Sequence, residues 1–196
     1  MRYSPDHAAR TRARLVASAA AEIRARGPRG VSLAALMRGI GLSHGGFYAH
    51  FPSKDALVAA AIAAMFEESA ARFAAGTNLG RFIGAYLSPA HRDAPATGCP
   101  VAALMSEAHR LSPLARATYD RGLRRMAETL ADRLPDGGGR DAALALVSGL
   151  AGGLSLARAA GPDLSDSILA ATRADLLSRF AAPLPPTSAQ PSGDQR

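Results

Sequence analysis

Residues 41–57 read Gly41-Leu42-Ser43-His44-Gly45-Gly46-Phe47-Tyr48-Ala49-His50-Phe51-Pro52-Ser53-Lys54-Asp55-Ala56-Leu57, a run dense in groups that can do chemistry. Two chemistries compete for it. One is nucleophilic, because residues 41–45 satisfy G-x-S-x-G, the elbow that exposes the serine of hydrolases, with His44 beside Ser43. That elbow requires a strand entering a sharp turn at the top of a parallel sheet. The other is contact with a polyanion. Ser43 and His44 would open a short helix, where backbone N–H groups and small polar side chains meet phosphates or base edges. Gly45 and Gly46 each cost about 1 kcal/mol against alanine in a helix, which is tolerable where a backbone must approach another surface closely. Lys54 falls in the first turn of the next helix, where the macrodipole disfavours a cation by roughly 0.3–1 kcal/mol and a bound phosphate would reverse the sign.

The charge distribution separates the two. The chain has 196 residues, 48% of them apolar, and a net charge of +7. Residues 1–55 carry nine basic groups (Arg2, Arg10, Arg12, Arg14, Arg24, Arg26, Arg29, Arg38 and Lys54) against Asp6, Glu22 and Asp55, a local +6, whereas residues 56–196 net only +1. A basic segment on an otherwise balanced protein is the electrostatic footprint of nucleic-acid binding. A membrane surface is the rival partner, but no bulky apolar stripe lies opposite these arginines. The uncharged stretch 142–157 has 16 residues with three Gly and two Ser, too short and weak to span a bilayer. The Arg-rich start lacks the apolar run of a signal peptide, so no membrane partner and a cytoplasmic location are expected. One cysteine permits no intrachain disulfide, and His7, His44, His50, His91 and His109 show no metal-ligand spacing. No metal and no cofactor are expected.

Helical periodicity runs almost throughout and strand alternation is nearly absent, which predicts an all-α fold and leaves the hydrolase elbow without its sheet. Leu15, Ala19 and Ile23 stripe a first helix that stops at Gly27-Pro28. Ser32 caps a short second helix, Gly39 to Leu42 breaks the pattern, and a third short helix spans 43–50. Pro52-Ser53 opens a long fourth helix on Leu57, Ile62, Met65, Phe66 and Phe73. Further helices follow near 79–87, 99–109, from Pro113 to about Leu134, 141–160 and 164–180, with a loop through Pro89, Asp93, Pro95 and Gly98. Three segments result: a basic helix-turn-helix unit at 1–52, a longer helical domain at 53–182, and a disordered Pro-rich tail at 183–196.

Residues 41–57 closely resemble the DNA-binding signature of TetR-family transcriptional regulators. Thr11-Arg12 and Gly30-Val31-Ser32 are similar to the same pattern upstream. The resemblance implies that Ser43, His44 and Gly45 face the major groove, that Tyr48, His50 and Lys54 hold phosphates, and that Phe47 and Phe51 pack the small core. With Ser32 and Gly46 these are the candidate DNA-binding residues. The Gly45-Gly46 pair departs from many members, which carry a larger second residue. It further implies a non-enzymatic regulator, most simply a repressor on a palindromic operator. Another possibility is a helical small-molecule-binding protein or enzyme keeping a vestigial reader.

In that family the C-terminal helices carry a dimer interface and an effector pocket. Gly149 and Gly153, four apart, with Leu146, Leu150 and Leu154, suggest a helix open to close approach by a second subunit or by a helix of the same one. Phe66, Phe73, Phe82, Tyr86, Met105, His109 and Tyr119 could line a pocket, or simply fill the core. Pro100 is placed as a first helical residue, which makes Cys99 an N-cap at the positive end of a helix, an environment that favours a reactive thiolate. The segment 97–104 resembles the Gly-Cys helix start of a TetR subgroup that includes an electrophile-sensing repressor of an N-ethylmaleimide reductase. A small buried capping residue is the alternative.

Overall fold

Local capping chemistry sets most of the helix boundaries in the structure, a computed structural model that describes residues 5–74, 78–135 and 138–181. Helix α1 (Pro5–Arg26) ends at Gly27, whose φ of +74° needs glycine and whose N–H returns to the Ile23 carbonyl at 2.9 Å. Ser32 Oγ accepts from the Ala35 N–H at 3.3 Å and starts α2 (Leu33–Gly39). Ser53 Oγ accepts from the Ala56 N–H at 3.1 Å and starts α3 (Lys54–Ala74). Asn78 caps α4 (Leu79–Tyr86), with the Arg81 N–H donating to its Oδ1 at 2.8 Å. Proline occupies a first-turn position of α5 (Pro89–Arg92), α6 (Pro100–Leu104), α7 (Pro113–Ala131) and α9 (Pro162–Phe180), where its missing N–H costs nothing. Helix α8 (Gly139–Ala159) lies between the last two. Among the described residues there is no strand, and the expected all-α class holds.

Three local expectations change. The third short helix is a 3-10 turn, His44–Ala49, closed by Gly46 N–H to Ser43 O (3.0 Å) and His50 N–H to Phe47 O (2.9 Å). Two adjacent glycines in so short a segment favour the tighter turn. The expected loop at 88–98 contains α5, because Ser88 Oγ accepts from the His91 N–H at 3.2 Å just before Pro89. The helix expected over 99–109 ends at Leu104. The Ser155 hydroxyl of α8 sits 3.4 Å from the Ala102 carbonyl, the acceptor that a continuing helix would offer to Ser106. The tail expected at 183–196 lies outside the described residues.

One continuous core runs from Leu15 to Phe180. Phe47 and Phe51 sit fully buried among α1, α2 and the start of α3, their ring centroids 6.0 Å apart. Helix α1 packs along α3, α3 against α7, α7 against α8, and α8 against α9. Arg24 near the end of α1 is buried and donates from Nη2 to Glu68 Oε2 of α3 at 2.5 Å. Helix α8, at 21 residues with a mean hydropathy of 1.5, is long and apolar enough to cross a membrane by length and composition. In this fold Leu146, Leu150 and Leu154 are instead fully buried in the core.

Glycine sets how closely the helices approach. A Cβ at Gly149 would stand 2.8 Å from Leu176, and one at Gly153 2.7 Å from Thr172, so this pair seats α9 of the same chain and not a second subunit. At Gly122 a Cβ would lie 2.3 Å from the Phe66 ring, which is wedged from α3 into α7. Gly122→Ala is expected to lose about 1–3 kcal/mol through this overpacking. The check is a lower urea midpoint with an unchanged m-value.

Candidate nucleic-acid interface

Helix α2, the turn at 40–43 and the 3-10 turn form a helix-turn-helix whose second element is one short turn. Gly41, with φ of +76°, reverses the chain between the two elements. The Gly41–Gly45 sequence therefore follows a helix and enters another helical turn, which is not the strand-to-helix elbow of a serine nucleophile.

On the outer side of this unit Ser43, Gly45 and Tyr48 are exposed, while Gly46, His50 and Lys54 are half-buried. His44 opens the 3-10 turn through its backbone. Tyr48 is 60% exposed and is braced edge-on against the buried Phe47 ring, 5.2 Å between centroids. Nothing lies within 4 Å of a Cβ built at Gly45. At Gly46 the nearest atoms are Ser43 Oγ at 3.7 Å and Met37 Cε at 3.9 Å, ordinary contacts. Neither residue has a left-handed φ. The fold itself thus has no need of glycine at either position.

Ser32 accepts the Ala35 N–H, leaving its own hydroxyl proton free for an acceptor beyond the protein. Lys54 occupies the first turn of α3, as the spacing predicts. Sequence reasoning did not single out Arg12 as a contact residue. Its guanidinium lies 4.5 Å over the Phe51 ring, which fixes a further positive charge beside the reader. The signal was its place within the basic N-terminal segment, one turn before the buried Leu15.

Behind the reader, α3, α4 and α7 enclose a cavity of about 330 Å³. Phe66, Phe73 and Phe82 line it; Tyr86, Met105, His109 and Tyr119 do not. Tyr119 touches Phe66 edge-on at 5.8 Å. Burial pushes the Tyr119 phenol up to about 12. Met105 is exposed, its sulfur 3.1 Å from the Ser155 hydroxyl, and His109 is exposed in the turn Ala108–Arg110. Both left the predicted set because α6 stops early. The residues that sequence reasoning missed are Glu67, Thr118, Arg121 and Arg125 at the cavity mouth.

Cys99 is the N-cap of α6 and is buried, and its thiol makes no capping hydrogen bond. Its N–H donates to His91 Nε2 at 3.2 Å, and His91 Nδ1 meets the Tyr86 carbonyl at 2.8 Å. A carbonyl can only accept and an amide N–H can only donate, so the imidazole is neutral with its proton on Nδ1. Arg158 closes the segment by donating to the carbonyls of His91 (2.8 Å) and Arg92 (3.1 Å). The Tyr86 hydroxyl is buried beside the Cys99 thiol, and desolvation, reinforced by that contact, raises its pKa well above the usual phenol range.

Comparison with known proteins places these features. The family model for bacterial regulatory proteins of the tetR family matches residues 15–61. The fold is similar to the reduced form of NemR from E. coli, at 23% identity and a TM-score of 0.72 over 89% of this chain and 99% of that one. It is also similar to a TetR-family regulator from Agrobacterium tumefaciens (22% identity, TM-score 0.74, 88% of this chain and 98% of that one). A TetR regulator from Chloroflexus aurantiacus shares 25% identity with a TM-score of 0.71 over 88% of this chain and 95% of that one. No curated protein matches the sequence significantly.

The His91 clamp carries a pH signature. Burial of the ring, with Arg158 and Arg72 repelling a second positive charge, holds its pKa below the usual histidine value. The unfolded ring takes its proton near pH 6.5 and the folded ring only at lower pH. The clamp's contribution to stability is therefore complete above that range and lost as pH falls through it. Thermal unfolding from pH 7.5 down to pH 5 should show a fall in Tm that is smaller in His91→Gln.

Proposed function

We propose that the chain is a TetR-type transcriptional regulator, a DNA-binding protein and not an enzyme, acting as a homodimeric repressor; the family match over residues 15–61 and the shared fold support this reading. It grips a palindromic operator in the cytoplasm and lets go when a small-molecule or electrophile effector acts behind the reader. Residues 1–52 serve as reader and 53–182 as effector and dimer domain. Ser43, His44, Gly45 and Gly46 meet base edges, while Ser32, Tyr48, His50 and Lys54 take phosphates. The observation that carries this reading is the pair Gly45-Gly46, which no internal contact requires, on the outer face of a segment with a charge of +6. Close approach of a backbone to a DNA groove supplies the missing reason.

Two readers must fall in successive major grooves, about 34 Å or a multiple apart, so the subunits must be joined firmly. Leu156 of α8 is 62% exposed and Leu164 of α9 61%, and a Cβ at Gly152 would meet nothing within 4 Å. This outer face of the α8–α9 pair supports dimerisation. Release needs only a change in reader spacing: an effector that favours another geometry by about 3 kcal/mol lowers operator affinity by roughly two orders of magnitude.

Cys99 offers a second trigger, supported by its place as a free thiol at the start of α6 beside the Tyr86 hydroxyl. Alkylation or a mixed disulfide at Sγ would not fit the closed segment, so the adduct would hold the α5–α6 region open.

A mobility shift on the DNA upstream of the gene tests the first reading. Binding should fall steeply with salt, and Lys54→Gln should reduce the logarithmic salt slope by about one. Gly45→Ala should weaken binding about tenfold or more with Tm unchanged. Leu156→Glu should give monomers by light scattering and lose the shift. Salt-independent or absent binding would favour the small-molecule binder with a vestigial reader. For Cys99, N-ethylmaleimide should release wild type from DNA and leave Cys99→Ser bound; equal release of both removes the thiol from the mechanism.

A further inference from the structure

We propose that the cavity between α3 and α7 binds a small aromatic monoanion, a carboxylate on a mono- or bicyclic ring system. Its use as an effector rests on the repressor reading above, whereas the binding chemistry stands on the cavity itself.

The floor is aromatic and fixed in place. Phe66 enters through the gap left by Gly122. Phe73 is held by Arg133, whose Nη1 donates to the Phe73 carbonyl at 2.9 Å and whose guanidinium lies 4.0 Å over the ring. Phe82 stands edge-on to Phe73 at 4.3 Å. Rings prefer offset or edge-to-face neighbours, so three fixed rings favour a flat aromatic guest. A volume of about 330 Å³ is at the small end for ligand sites, which limits the guest to one or two rings.

The mouth is charged and unpaired. Arg121 and Arg125 stand four residues apart on α7, an arrangement in which like charges repel on one helix face. The Thr118 hydroxyl accepts from Arg121 Nη2 at 2.9 Å while donating to the Leu114 carbonyl at 3.0 Å, which steadies that guanidinium. Among the described residues the Arg125 guanidinium makes no hydrogen bond or ion pair, although its backbone carbonyl accepts from the Thr129 hydroxyl at 2.8 Å. Glu67 faces the same cavity from α3 and pairs with neither arginine. Two cations against one carboxylate leave a single positive charge to neutralise beside an apolar floor. A ligand carboxylate between the two guanidinium groups would relieve their repulsion and accept charge-assisted, bidentate hydrogen bonds.

The test is titration calorimetry on the full chain with three probes of one shape: 2-naphthoate, neutral 2-naphthamide and (2-naphthyl)methylammonium. Naphthoate should bind at least about tenfold tighter than the amide, with the ammonium weakest. Arg125→Gln should reduce naphthoate to the level of the amide, a tenfold loss worth about 1.4 kcal/mol. Glu67→Gln should leave naphthoate binding unchanged or tighter, and Ala70→Phe, which puts a ring into the cavity from α3, should abolish it. Absence of naphthoate binding, equal binding of acid and amide, a preference for the ammonium, or indifference to Arg125→Gln or Ala70→Phe overturns the proposal. The same probes added to the DNA complex separate the two readings. Naphthoate that binds in the cavity but leaves the complex intact overturns the effector role and keeps the anion site. Loss of the acid preference with operator binding intact overturns the anion site and keeps the repressor.

Discussion

Burial of one face of α3, from Leu57 to Phe73, is the constraint around which the other helices are arranged. Leu57 and Val58 in its first turns share a core with Phe47 and Phe51, Ile62 and Met65 fill its middle, and Phe66 and Phe73 reach the cavity at its far end. Its 21 residues span about 31 Å without a proline or glycine, so the helix has no hinge of its own. The Arg24–Glu68 pair ties the end of α1 to its flank, and Arg24 Nε is left buried without a partner. Removing Glu68 would strand a buried cation, which makes this junction costly to open.

Glycine has two opposite uses in this chain. Gly122, Gly149 and Gly153 are demanded from inside, by side chains that occupy the space a Cβ would take. Gly45 and Gly46 are free of any such demand. The first kind sets how closely the helices pack, and the second leaves the outer face of the helix-turn-helix low and open. Residue identity cannot separate the two kinds, whereas the space around each Cβ does.

Local signals were legible in the sequence. The stop at Gly27, the Ser32 cap, the Ser53 cap and the prolines opening α6 and α7 each act within one helical turn, so each could be read from neighbouring residues. The early end of α6 lies against Ser155, which comes from a helix some fifty residues later, and no local pattern announces that contact. The spacing of Gly149 and Gly153 announced a close helix approach but not whose helix. At the cavity Phe66, Phe73 and Phe82 were legible as apolar spacing. Arg121 and Arg125 were not, because on an amphipathic helix a cation beside a cavity has the same periodic position as one in open solvent. Gly122 inside α7 was the available clue, a poor helix former in an otherwise regular pattern.

The one lysine among 23 basic residues stands in the first turn of α3, half-buried at the edge of the reader. Arginine side chains do not react with amine-directed acylating reagents under mild conditions, so apart from any terminal amine the chain presents a single addressable nitrogen. Its labelling rate would report the accessibility of the first turn of α3 alone, with every arginine-bearing face chemically silent. An unmodified protein of this composition thus carries a built-in footprinting probe where the helix-turn-helix joins α3.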